Sequence, residues 1–149
     1  WFSSDGITWS QATSSAEFSP RRWHSSFILN SKIWILGGQD ANGDSLADIW
    51  SSPDGIVWNQ EIETASFGPR NLADVIVYQS MVWLFGGSNG SSSMSDVWSS
   101  PDGKTWALIN ANAGFGKVKG HSAVLFDERM LVIAGFKGGD VTGDVWSSP

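Results

Sequence analysis

The stretch DIWSSPDGIVW at Asp48–Trp58 returns as DVWSSPDGKTW at Asp96–Trp106 and begins again as DVWSSP at Asp144–Pro149, with a degenerate copy, WFSSDGITW, at Trp1–Trp9. The leading tryptophans Trp1, Trp50, Trp98 and Trp146 stand 49, 48 and 48 residues apart. A fixed period in this range means that one supersecondary unit is copied along the chain, each copy burying its faces against its neighbours. Counted from the tryptophans, the units are residues 1–49, 50–97 and 98–145, with 146–149 starting a further copy; together they form one three-repeat segment.

Two more blocks recur inside each period. KIWILGG at Lys32–Gly38, MVWLFGG at Met81–Gly87 and MLVIAGF at Met130–Phe136 align through Gly37, Gly86 and Gly135, which puts Phe136 where the other two copies have a second glycine. Ahead of them lie HSSFIL from His24, ADVIVY from Ala73 and HSAVLF from His121. Runs such as Phe27–Leu29 and Ile33–Leu36 are almost continuously apolar, which suits strands covered on both faces by neighbouring sheets. Pro53-Asp54-Gly55 and Pro101-Asp102-Gly103 are turns with a stated cause: proline presets φ, aspartate bonds its own backbone and glycine accepts φ > 0. Each period therefore predicts a four-stranded antiparallel meander, and no segment has the periodicity and caps of a long helix. Asp54, Asp102 and the corresponding Asp5 are read as turn caps, not as a facing carboxylate pair.

The pattern resembles the kelch repeat over almost the whole chain. The residues that carry the resemblance are Pro20-Arg21 with His24-Ser25, the diglycines Gly37-Gly38 and Gly86-Gly87, and the tryptophan pairs Trp50/Trp58 and Trp98/Trp106. SPDGKTW at Ser100–Trp106 also resembles a shortened Asp box, a hairpin signature of sialidase-type propellers. Both resemblances imply an all-β fold, a kelch-like β-propeller of three four-stranded antiparallel blades. Closed propellers have about 4–8 blades, so three are expected to be a partial propeller or part of a larger ring, completed by further blades of a longer chain or by a second copy.

Ten tryptophans in 149 residues point to a core of indole rings, and the formal charge of -6 disfavours nucleic acid partners. No apolar run reaches the length of a membrane span. Without cysteine there is neither a disulfide nor a thiolate metal site. The copper chemistry that the resemblance to galactose oxidase would imply needs a cysteine-linked tyrosine; this chain has Tyr78, His24 and His121. No cofactor is expected, and the two histidines are read as hydrogen-bonded structural positions. Asp40, Asn42, Asp44 and Asp48 have a spacing that can wrap a hard cation and form a candidate calcium loop.

Five of the nine basic residues are expected on one rim, at the loops entering the first strand of each blade: Arg21, Arg22, Arg70, Lys117 and Lys119. Trp23 and Asn71 complete this candidate ligand-binding rim, while Asp44 or Asp74 are alternative carboxylates against which the arginines could instead brace. The expected function is a non-catalytic binding or scaffolding module for a protein or acidic glycan, part of a larger extracellular or bacterial cell-surface protein or assembly. The alternative is a carbohydrate-active enzyme, a sialidase-like hydrolase or sugar-acid isomerase, whose remaining active-site residues lie outside the segment.

Overall fold

The computed structural model describes residues 1–149, and the chain is all β. In the first sheet β1 (Ser25–Leu29), β2 (Lys32–Leu36), β3 (Ile49–Ser52) and β4 (Asn59–Ile62) pair antiparallel in chain order. The second repeats this with β5 (Asp74–Tyr78), β6 (Met81–Phe85), β7 (Val97–Ser100) and β8 (Ala107–Asn110). The third holds β9 (Ser122–Phe126), β10 (Arg129–Ile133) and β13 (Val145–Ser147); the loop before β13 forms the small hairpin β11 (Phe136–Lys137) and β12 (Asp140–Val141), where the other two sheets have the single bridges Gln39–Ser45 and Ser88–Ser93. With no helix, nothing of helical form is long and apolar enough to cross a membrane.

Local chemistry explains each connection. The first two strands of every sheet join through two residues with positive φ, Asn30-Ser31, Gln79-Ser80 and Asp127-Glu128, the geometry whose twist matches paired strands. In the outer hairpins Asp54 Oδ1 accepts from the amides of Ile56 and Val57, and Asp102 Oδ1 from those of Lys104 and Thr105. Ser52 and Ser100 take the amides of Gly55 and Gly103. The expected turn-cap role of these aspartates is what the backbone uses. Asp5 caps residues 1–10 in the same way, and the amides of Thr8 and Ile7 with the Ser3 hydroxyl hold its pKa down to about 2.

The sheets stack through their faces. Phe27, Leu29, Trp34 and Leu36 of the first meet Val82 and Leu84 of the second, with Phe67 and Trp106 completing the cluster. Ile76 and Phe85 on the opposite face of the second sheet meet Val132 of the third, along with Phe115 and Val118. The innermost strands β1, β5 and β9 run side by side, stitched by Ser25 Oγ donating to the Ala73 carbonyl and the Ala123 amide donating to Asp74. Two-sided coverage holds for the central sheet. On the first, where it was also expected, Ile28 is 69% exposed because only one of that sheet's faces is packed by a neighbour.

The glycine alignment needs a correction in the third repeat. The amides of Gly37, Gly86 and Ala134 all bond to the carbonyl of the first residue of the DxW motif, Asp48, Asp96 and Asp144. Ala134-Gly135 is thus the counterpart of the diglycines, and Phe136 corresponds to Gln39 and Ser88, its partners in the entry bridges. The doubtful backbone position is therefore Ala134, at φ 57°. In the first two sheets the next entry segment crosses over the glycine: a Cβ would lie 2.5 Å from the Arg70 carbonyl oxygen at Gly37 and 2.7 Å from that of Val118 at Gly86.

Gly37→Ala is therefore expected to cost more than the ~1–3 kcal/mol of a strained backbone position, since it also pushes two sheets apart. Gly43→Ala, at φ 92° with open space around its Cβ position, meets only the strain. Urea unfolding of the two variants should rank them in that order.

Candidate functional site

The expected rim divides into two sets. Arg21 Nη1 and Nη2 grip both oxygens of Asp48 at 2.7 and 2.8 Å, and Nη1 also donates to the Gly37 carbonyl at 3.0 Å. One repeat later Arg70 grips Asp96 at 3.1 and 3.0 Å and donates to the carbonyls of Gly86 and Phe67. The indole N–H of Trp50 donates to Asp48, and that of Trp98 to Asp96, each at 2.7 Å. The guanidinium groups also lie over Phe18 and Phe67. Arg70 is 1% exposed, so these two arginines brace the blades and do not present themselves to a ligand. Their carboxylate partners head the third strands; Asp44 and Asp74 are not used.

The third repeat solves the same problem differently. Val118, buried, stands where Arg21 and Arg70 stand, and Lys137 from the β11–β12 hairpin reaches Asp144 at 3.1 Å and lies over the Trp146 ring. The brace is conserved in charge while its donor comes from another loop.

These contacts also dissolve the candidate calcium loop. Both oxygens of Asp48 are committed to Arg21, and Asp40 Oδ1 accepts from the amides of Asn42 and Asp44 at 2.9 and 2.8 Å. The spacing reflects an aspartate-capped turn beside a braced strand, and no metal-holding cluster of three acidic or histidine side chains forms. His121 departs from its expected hydrogen-bonded role: it is buried with neither ring nitrogen paired. Burial lowers its pKa, against the partial opposing pull of Asp74, and keeps the ring neutral. Burial followed by the Arg21 charge lowers that of His24.

What remains on the rim is a smaller group. Leu72 N donates to the Trp23 carbonyl and Gly120 N to that of Leu72, a one-per-blade relay that sets the three entry loops side by side. Just before each relay residue come Arg22, Asn71 and Lys119. Asn71 is buried and clips its loop to Ser45 at 2.7 Å, so it too serves the scaffold. Arg22 is exposed, stacks its guanidinium 4.3 Å over the Trp23 ring and donates to the neutral Gln39 side-chain carbonyl. Trp23 is 47% exposed, held at φ 58°. Lys117 is exposed, and Lys119 is half-buried beside a shallow cavity of about 360 Å³ with Leu72, Ser93 and Phe136. Arg22, Lys117 and Lys119 take part in none of the chain's five ion pairs. Leu72 and Phe136 were missed in the sequence. Leu72, half-buried, has tryptophan and glycine at the corresponding positions of the other repeats and so no shared residue type to mark it, and the sequence alignment places Phe136 at a glycine position.

Arg70→Met leaves Asp96 with an unpaired, partly buried charge, and about 3–5 kcal/mol of destabilisation is expected; Arg22→Ala should stay within ~0.5 kcal/mol. Chemical unfolding of both variants checks the division of the rim. At Asp48 burial alone would raise the pKa, but the hydrogen bonds from Arg21 and Trp50 and the Arg21 charge win, and it is lowered. A depressed folded-state pKa means stability that is present above the ordinary aspartate range of about 3.9 and is lost as pH falls through the folded value. Asp48→Asn should therefore be less stable at neutral pH and show a shallower loss in an acid titration followed by tryptophan fluorescence.

Compared with known families, the chain matches the KLHDC2/KLHL20/DRC7 Kelch-repeats domain over residues 1–148. A search of curated proteins found no match. The match spans all three sheets. The chain belongs to the kelch-repeat family, whose domains are protein-binding and scaffolding modules.

Proposed function

We propose that the chain binds an acidic segment of a partner through the entry-loop face, with Arg22 and Trp23 at its centre and Lys117 and Lys119 beside them. The carrying observation is the unneutralised Arg22 guanidinium over an exposed indole. Arg21, Arg70 and Lys137 spend their charge on carboxylates of the scaffold, whereas these groups do not. An overall charge of -6 makes such a patch selective: acidic groups are repelled elsewhere and attracted here.

Planar guanidinium and indole together suit a carboxylate-bearing ligand, since the fork can hold the anion while the ring covers apolar carbon. An acidic peptide is the favoured ligand, and an acidic glycan offers the same chemistry on a different backbone. An extracellular or cell-surface setting belongs to this reading and rests on composition alone.

Titration with a fluorescein-labelled glutamate-rich peptide and with a uronic acid oligosaccharide, followed by anisotropy, tests the assignment. Arg22→Glu and Trp23→Ala are each expected to weaken binding by about tenfold or more, and added salt to weaken it further. Unchanged affinity in both variants would remove the face from consideration.

A further inference from the structure

The shallow cavity of about 360 Å³ on the entry-loop face lies where the second sheet meets the third, lined by Leu72, Ser93, Lys119, Phe136 and Gly139. Its walls come from fixed places in the repeat. The relay of backbone hydrogen bonds runs through Trp23, Leu72 and Gly120, and the bridges pair Asn71 with Ser88, as they pair Lys119 with Phe136. Ser45 and Ser93 bridge Gln39 and Ser88 in the same way. At the junction of the first and second sheets the corresponding places are therefore held by Trp23, Ser45, Asn71 and Ser88.

The two junctions fill these places differently. At the first, Asn71 Nδ2 donates to Ser45 Oγ at 2.7 Å, Asn71 and Ser88 are buried, and a Cβ on Gly90 would meet Ser45 Oγ at 3.6 Å. One loop is clipped to the next. At the second, Lys119 stands in place of Asn71 and takes part in no ion pair. Phe136 replaces the buried Ser88 and is 46% exposed, and a Cβ on Gly138, the counterpart of Gly90, would meet nothing within 4 Å. Each junction has both of its sheets and both of its entry loops, so the open crevice comes from the side chains.

We infer that this crevice receives one large apolar side chain of the acidic partner segment, which makes the partner a peptide. The inference rests on the reading of the entry-loop face given above and adds an anchor to it. Leu72 and Phe136 supply the apolar walls, and the Lys119 ammonium beside them suits a carboxylate close to the anchor in the ligand. Trp23 and Gly120 are two hydrogen-bonded steps apart along the relay, roughly 10 Å at a strand spacing of ~4.8 Å, or about three residues of extended chain. A short segment can thus meet Arg22 with one carboxylate and seat its apolar side chain beside Lys119. A uronic acid glycan satisfies both cations but has no large apolar group for the crevice, so the anchor separates the two ligand classes.

Anisotropy with two fluorescein-labelled peptides, a run of glutamates with one central leucine and the same run with alanine at that place, tests the anchor. The leucine peptide is expected to bind about tenfold tighter. Phe136→Ser, the residue type of the closed junction, and Leu72→Asn, which tolerates positive φ, should each bring the leucine peptide to the affinity of the alanine peptide. The alanine peptide itself should bind both variants as it binds the parent, and the circular dichroism spectrum should be kept. Equal affinity of the two peptides for the parent chain overturns the anchor; if Arg22→Glu still weakens both, the binding face stands without it. A leucine preference that survives both substitutions also overturns the inference, as does a uronic acid oligosaccharide that binds as tightly as the leucine peptide. If neither peptide binds, face and anchor fall together.

Discussion

A carboxylate shared between a guanidinium and an indole is the contact on which the blades depend. Asp48 and Asp96 each receive an arginine from the entry loop and the N–H of the tryptophan two residues on, so the entry loop is tied to the third strand across more than twenty residues of sequence. The arginine's remaining N–H reaches the carbonyl of the glycine over which the next sheet's entry segment passes. Apolar faces supply the drive to stack, but stacking alone is indifferent to register. The directional bonds at the brace fix each entry segment against its own sheet, and the bonds of the Gly38 and Gly87 amides to the Arg70 and Val118 carbonyls join that sheet to the entry segment of the next.

The entry loops make a scaffold and a display surface from adjacent residues. Arg21 turns inward and Arg22 outward; Arg70 turns inward, and Asn71 clips back to Ser45. Trp23 and Leu72 hold positive φ, a costly conformation for bulky side chains, and the interblade relay of backbone hydrogen bonds holds them there. Strain of this kind persists where surrounding structure over-determines it, and here it falls on the face that carries unpaired positive charge.

Much of the architecture was legible because repetition multiplies each local signal. Three copies of one turn motif and three apolar strand pairs left little choice of sheet order. The site was harder to read, since residue type does not reveal direction: nothing in Pro-Arg-Arg-Trp tells which arginine is internal until Asp48 is placed beside it. The phenylalanines at 18, 67 and 115 carry a period of 49 and 48 that could have found the edge-on partners of the hairpin tryptophans. The alignment of the third diglycine failed through a single-residue slip that only the hydrogen-bond partner of Ala134 resolves. Lys137 was not legible as the replacement for an arginine, because it comes from the loop between the second and third strands, where the other two repeats carry Asp40 and Asn89.

Ala134 has a mechanical consequence. At Gly37 and Gly86 the absence of a side chain lets a neighbour's carbonyl sink onto the backbone, a keyed joint that resists sliding. The methyl group at Ala134 blunts that key, so whatever lies against the third sheet rests on apolar contact and strand pairing without the interlock. Under load or thermal agitation a contact along that line would part before the two keyed joints, leaving the three sheets of the chain bolted together.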